Sequence, residues 1–399
     1  GGEYAPYRQS ERVGEHAKAV QELLDTSKAY RCVCPPKEMS SGDIAVHSCA
    51  CPTANNATGV IRLKVTPELI SFTDIIRGEI KVHTNSFGGD FVIARDISDP
   101  LFHLAVVSDD EAMKITHVIR GEDHLHNTIK HILIQRALGY AQPIYAHLPL
   151  LLDEQRKKLS KRSGETNVLA FRDMGFLPQT MVNYVALLGW NNGDDREYYT
   201  HEELGQAFTL ERVQKSGAIF SMMKLSAMNK KYLSELSDEE LLAWGLYHYT
   251  QKNISVRDET RLLHALKTEL GRFASYDVGG IDLCEAMNWH EKNWMPELDA
   301  QKIVWKKSTP EATRDILEKL IALLEKLPEG DFTKEKIEEY VMNWIDANTM
   351  GRGDTLWPMR YAFTGREQSP GPFEIASVIG KEDTLQRLIL AHGILKQHA

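Results

Sequence analysis

The order of apolar and polar positions divides the chain into two regimes. Residues 8–30 carry Val13, Ala17, Val20, Leu23 and Leu24 at helical spacing, which predicts an amphipathic helix. Residues 31–55 read as loop, broken by Pro35, Pro36 and Pro52. Strand patterns follow at 60–65, 79–82 and 91–94. The runs Leu104-Ala105-Val106-Val107, His117-Val118-Ile119 and 148–152 predict buried strands, with a helix over 126–138 between the last two. Strands alternating with helices predict an α/β layer around residues 90–160.

Beyond about residue 165 helical patterns take over. Thr200 with Glu203, and Ser237 with Glu240, have the spacing of capping boxes. Thr309-Pro310 reads as an N-cap followed by proline in the first turn. The helix after it places Ile316, Leu317, Leu320, Leu324 and Leu327 on one face. Another begins at Thr333 and is expected to bury Ile337, Tyr340, Val341 and Trp344. Strand signals nearly vanish after residue 235, which marks the expected boundary of a helical domain.

Composition narrows the class. The 399 residues are too many for one compact domain. Hydrophobic residues at 42% and charged residues at 26% are ordinary for a globular protein. No apolar run reaches the length of a transmembrane helix. The start, Gly1-Gly2-Glu3-Tyr4-Ala5-Pro6-Tyr7, resembles neither a signal peptide nor a transit peptide. A net charge of −9 argues against a protein that coats nucleic acid, so any RNA contact must use local basic patches.

One such patch is Arg156-Lys157-Lys158-Leu159-Ser160-Lys161-Arg162. A charge run is usually a solvated loop, yet two lysines flanking a serine suit a polyphosphate. Cys32, Cys34, Cys49 and Cys51 form a second cluster, and Cys284 stands apart. The Cys-x-Cys pairs are unusual for zinc, which favours two intervening residues. Structural zinc, unliganded buried thiols and a redox role all stay open, and His47 could replace one cysteine.

Lys158 to Arg162 resembles the Lys-Met-Ser-Lys-Ser signature of class I aminoacyl-tRNA synthetases. The segment Thr116-His117-Val118-Ile119-Arg120-Gly121-Glu122-Asp123-His124 is similar to bacterial-type glutamyl-tRNA synthetases. So are Tyr145-Ala146-His147-Leu148-Pro149-Leu150, Asn183 to Trp190 and Val213 to Phe220. Leu356-Trp357-Pro358-Met359-Arg360 and Ser369 to Glu374 fit the family's anticodon-binding region. The resemblance implies an α/β Rossmann-type catalytic region, incomplete at its N-terminus, followed by an all-α anticodon-binding domain. The expected division is 1–165, with an acceptor-end insertion at about 30–90, then a stem-contact region 166–235, then 236–399.

The implied reaction joins glutamate to tRNA(Glu), using ATP with Mg²⁺. Arg120, at a strand end, could grip a glutamate carboxylate; a salt bridge to Glu122 or Asp123 is the alternative. Phe102 matches a position usually held by tyrosine in the glutamate pocket. Lys158, Ser160 and Lys161 are the expected catalytic residues. ATP binding would also involve Leu159, Arg162, Leu151, which matches an adenine-packing residue, and Asp123. Some relatives carry zinc at the four cysteine positions. A monomer in a bacterial cytoplasm is expected, with a mitochondrion as the alternative.

The family's first signature, His-Ile-Gly-His, has no counterpart here; His124-Leu125-His126-Asn127 lacks its glycine. The chain is therefore expected to be truncated by a segment of roughly 30 residues or more. If it is complete, adenylation should be impaired, and a non-catalytic tRNA-binding protein is the competing reading. A glutaminyl enzyme is disfavoured because its anticodon region is β-barrel. A glutamyl-queuosine enzyme would lack the C-terminal half.

Overall fold

The computed structural model describes residues 2–34, 49–53, 56–159, 167–254, 256, 258–270, 288–306 and 308–397. Two compact units emerge. One comprises Gly1–Leu159 with Val185–Phe220, the other Ser160–Tyr184 with Ser221–Ala399.

In the first unit the strands are β1 (Ala29–Cys32), β2 (Val60–Leu63), β3 (Leu69–Asp74), β4 (Gly78–His83), β5 (Phe91–Asp96), β6 (Asp99–Pro100), β7 (His117–Gly121), β8 (Ile144–Leu148), β9 (Leu151–Leu152) and β10 (Ala218–Ile219). One antiparallel sheet has the order β1-β2-β5-β6. A second has the order β4-β3-β8-β7; β3, β8 and β7 run parallel and β4 forms an antiparallel edge. Helices α1 (Val13–Asp25), α2 (Phe102–Ala112) and α3 (Leu125–Leu138) pack on the shared core. That core draws Val20 and Leu23 from α1, Ile61 from β2, Ile70 and Phe72 from β3, Ile93 from β5, Leu104 from α2 and Ile132 from α3.

The run 104–107 is helix, not the strand its apolar continuity predicts. Four consecutive apolar residues suit either form. Helix wins because Leu104, Val107 and Ser108 fall on one buried face, and Asp109 on the next turn meets α1. Asp109 accepts from Arg12 Nε at 2.6 Å and pairs with His16 Nε2 at 2.8 Å. Strand β3 escapes the sequence pattern for a related reason. Its inward positions are Ile70, Phe72 and then Asp74, so a carboxylate interrupts the apolar alternation.

The second unit is helical among its described residues. Both capping boxes form, with each cap side chain accepting from, and each glutamate receiving, a backbone N–H; the Thr200 box lies in the first unit. Thr309 accepts from Ala312 N–H at 3.2 Å ahead of the helix Pro310–Leu324. All five apolar residues expected on that face are buried. In Lys334–Ala347 the core takes Ile337, Val341 and Ile345, while Tyr340 and Trp344 are half-buried at its rim. The helix Pro372–Gln397 breaks at Gly380, whose φ of 78° favours glycine. Past the break, Arg387 is fully buried and donates to the Trp289 and Phe363 carbonyls at 2.9 Å each. No helix among the described residues is long and apolar enough to cross a membrane.

Leu320 is 0% exposed at the centre of the helical core. Leu320→Ala should cost about 3 kcal/mol through lost burial and the cavity left behind. A urea midpoint shift worth less than about 1 kcal/mol would place Leu320 outside the load of that core.

Candidate active site

The parallel strands β3, β8 and β7 end side by side, and ligands in such sheets bind at the carboxyl ends of strands. Asp74 is the last residue of β3, while His147 and Arg120 are each next to last in β8 and β7. Arg120 and His147 are register partners. The fold thus draws three chemically active side chains from distant sequence into one row.

Arg120 is the hub. Its Nε donates to His147 Nε2 at 3.2 Å, and its Nη1 lies 3.4 Å from His131 Nδ1. Its Nη2 donates to Thr128 Oγ1 at 2.7 Å and to the His124 carbonyl at 3.3 Å. Every one of these acceptors is neutral. Neither Glu122 nor Asp123 pairs with Arg120: Glu122 pairs with Arg77 and Asp123 with Lys158. A guanidinium has five N–H groups, so among the described residues one on Nη1 has no acceptor. Burial pulls the Arg120 pKa down, with the more distant Asp110 and Asp123 charges acting against it.

The histidines are held neutral. Burial brings His131 down to about 3 and His103 down to about 4, and the Arg120 charge adds to both. His131 Nδ1 faces a donor in Arg120, so its proton sits on Nε2, 3.1 Å from His103 Nδ1. Phe102, the first residue of α2, is half-exposed and tilts against His131 and His124 with centroids 6.0 and 6.3 Å away. The structure therefore brings Phe102 and Arg120 to the same imidazole, that of His131.

The nucleotide-loop candidates gather at a hairpin. Leu151, 41% exposed, lies on β9, and its carbonyl accepts from Leu159 N–H at 2.9 Å. The reversal is made at Arg156, which adopts φ 62°, with Asp153 accepting from the Lys157 N–H. Lys158 Nζ then donates to Asp123 Oδ2 at 3.0 Å, and this bond holds the Asp123 carboxyl below the usual carboxylate range. Ser160, Lys161 and Arg162 lie outside the described residues.

The four clustered cysteines converge. Their sulfurs all lie within 4.8 Å of one another, with Cys32–Cys49 at 4.0 Å and Cys34–Cys51 at 3.6 Å. A tetrahedral zinc with bonds of about 2.3 Å spaces its sulfurs about 3.8 Å apart, so the donor set and its size suit the ion. Gly59, at φ 108°, lies against the Cys32 carbonyl where a Cβ would collide. A backbone hydrogen bond from Val33 brings the Cys51 thiol down to about 7, whereas hydrogen bonding with the Cys51 thiol pushes Cys34 up to about 12 and burial pushes Cys49 up, so the set would need the cation itself to become fully thiolate. His47 and Cys284 lie outside the described residues.

Sequence reading singled out Arg120, Phe102, Asp123, Leu151 and Lys158. It assigned no part to Asp74, Thr128, His131 or His147. Their participation depends on strand register and on one helical turn of α3, neither of which a linear pattern displays.

The comparisons with known proteins follow the same outline. Residues 2–227 match the family described as tRNA synthetases class I (E and Q), catalytic domain, and residues 281–391 match an anticodon binding domain. The chain belongs to the class I tRNA synthetase family in its E and Q branch. The glutamate–tRNA ligase of Dehalococcoides mccartyi strain CBDB1 is 34% identical over 409 residues, covering 100% of this chain and 83% of that one. The glutamate–tRNA ligase of Thermodesulfovibrio yellowstonii is 35% identical, covering 96% of this chain and 83% of its own length. A crystal structure of a glutamate tRNA ligase from Elizabethkingia meningosepticum, in complex with its amino acid, superposes with a TM-score of 0.75 at 29% identity. It covers 99% of this chain and 85% of that one. Synthetases of this class use ATP with Mg²⁺.

His103 and His131 carry a pH signature. Their folded pKa values lie below the unfolded value of about 6.5, so the unfolded state takes up protons first as pH falls. Their contribution is present above about pH 6.5 and shrinks toward pH 4. Asp110, pushed up to about 6 by burial, acts in the opposite direction in this window. The expected result is a smaller loss of stability between pH 7.5 and 5 in His103→Gln than in the parent, read from urea midpoints. Identical pH dependence in the two proteins would show that His103 is not held neutral.

Proposed function

We propose that this chain activates glutamate with ATP and transfers it to the 3′ end of tRNA(Glu), the activity its relatives are named for. The observation that carries the reading is Arg120, a half-buried cation that, among the described residues, has neutral acceptors, no carboxylate partner and one N–H to give. Such a group is complementary to a substrate carboxylate.

In the first step a glutamate carboxylate oxygen attacks the α-phosphorus of ATP, and pyrophosphate leaves. In the second, a ribose hydroxyl at the tRNA 3′ end attacks the activated carbonyl, and AMP leaves. Neither step needs a covalent group from the protein; placement and charge supply most of the acceleration. Arg120 holds the amino acid against the wall that includes Phe102. Lys158 stabilises phosphate charge, and Asp123 parks its ammonium until phosphate competes for it. Leu151 offers an exposed apolar surface to adenine. Leu159 is the hairpin residue that leads into Ser160, Lys161 and Arg162, which would complete the phosphate contacts. Mg²⁺, when bound with ATP, would supply charge neutralisation at the phosphates, beside the Lys158 ammonium.

The anticodon binding domain, residues 281–391, is the part expected to engage tRNA away from the acceptor end. Cys32, Cys34, Cys49 and Cys51 would hold a structural zinc that braces the loop between them.

Arg120→Ala should raise the KM for glutamate by roughly tenfold or more, the worth of a charge-assisted hydrogen bond, while the KM for ATP holds. The assay is glutamate-dependent exchange of pyrophosphate into ATP with tRNA present. Exchange that ignores glutamate in the parent protein would remove the reading. Lys158→Ala should instead slow adenylate formation by about 10²-fold with tRNA affinity unchanged; equal losses in both would make the loop an RNA patch. Metal analysis should find one zinc per chain, lost in Cys32→Ser; purified protein with far less zinc than chain would leave the thiols unliganded.

A further inference from the structure

Asp74 and His147 have no part in the reaction as described, yet both side chains are completely buried. Asp74 takes the third inward position of β3, after Ile70 and Phe72, where an apolar residue would pack without cost. Its two oxygens are divided between tasks. Oδ1 accepts from the N–H groups of Ile76 and Arg77 at 2.9 and 2.8 Å, and from that of His147 at 3.3 Å. Oδ2 lies 2.6 Å from His147 Nδ1.

Burial acts to raise the Asp74 carboxyl, but the hydrogen bonds from Arg77 and His147 outweigh it and keep the group ionised. An ionised carboxylate only accepts. His147 must therefore carry its proton on Nδ1. Burial also keeps that ring from taking a second proton. Nε2 is left with a lone pair, and it points at Arg120 Nε, 3.2 Å away, and at the Thr128 hydroxyl, 3.0 Å away. Thr128 Oγ1 in turn accepts from Arg120 Nη2 at 2.7 Å.

We propose that Asp74 and His147 are positioning residues for glutamate recognition: Asp74 fixes the His147 tautomer, and His147 Nε2 with Thr128 fixes the Arg120 guanidinium plane. The proposal rests on the reading of Arg120 as the glutamate contact. Its chemistry is that of an acceptor imposed from behind. In the opposite tautomer Nε2–H would meet Arg120 Nε–H, donor against donor, and the guanidinium would have to turn away. Two neutral acceptors then hold a cation without cancelling its charge, which a carboxylate in the same place would do.

Asp74→Asn isolates the idea. The asparagine oxygen can keep the Oδ1 bonds to backbone, while its NH₂ faces His147 Nδ1 and forces the proton to Nε2. Thr128→Val removes the second support, with its contact to His147 Nε2, but leaves the Asp74–His147 hydrogen bond in place, and serves if Asp74→Asn folds poorly. Glutamate and ATP affinities would be measured by calorimetry on the full chain for the parent, Asp74→Asn, Thr128→Val and Arg120→Ala. ¹⁵N-histidine NMR, with His147 assigned through His147→Gln, reports the tautomer. The expected outcome is a glutamate Kd raised roughly tenfold in Asp74→Asn and severalfold in Thr128→Val, with the ATP Kd unchanged. The His147 proton should move from Nδ1 to Nε2 in Asp74→Asn. An unchanged glutamate Kd in both variants, alongside a weakened one in Arg120→Ala, would overturn the positioning role alone. An unchanged Kd in Arg120→Ala would overturn the reading beneath it as well. Equal weakening for glutamate and ATP would mark Asp74 as merely structural.

Discussion

The site depends on one electrostatic arrangement: a half-buried guanidinium whose acceptors among the described residues are all neutral. Removing a cation from water is costly unless an anion or several good acceptors compensate it. Arg120 receives two imidazole nitrogens, a hydroxyl and a backbone carbonyl instead of a carboxylate. Its charge is therefore solvated by the protein but not neutralised. On the proposed reading, a ligand carboxylate would supply the missing charge, and binding would gain from a field already in place.

That arrangement constrains the surrounding fold. Three parallel strands must end together so that Asp74, His147 and Arg120 form a row, and α3 must begin where Thr128 and His131 reach the guanidinium. The carboxylates that could have neutralised Arg120 are engaged elsewhere. Glu122 is tied to Arg77 and accepts from Leu150 N–H at 3.1 Å, and Asp123 is tied to Lys158. On the proposed reading, the turn between β7 and α3 separates two functions within a few residues: it leaves Arg120 for the amino acid and, through Asp123, holds Lys158 in reserve for phosphate.

Much of this was legible in the sequence, unevenly. Capping boxes at Thr200 and Ser237 and the apolar face from Ile316 to Leu327 are local signals, and local signals survive folding. Arg120 and Lys158 stood out because both fall in segments that resemble the family's motifs, whose residues are local in sequence. The run at 104–107 misled because four apolar residues carry no period; only the register of Ser108 and Asp109 against α1 makes it a helix. Asp74 and His147 stayed silent for a deeper reason. A polar residue at an inward strand position looks like a break in the pattern until its partner, far along the chain, is known.

On the proposed reading, Arg120 receives a glutamate carboxylate without losing its neutral supports. A crystal structure of this chain with glutamate bound tests it most directly. The account predicts a carboxylate oxygen about 3 Å from Arg120 Nη1, with the His147 and Thr128 bonds intact. Glutamate bound with Arg120 untouched, or Arg120 swung onto Glu122 or Asp123, would contradict it.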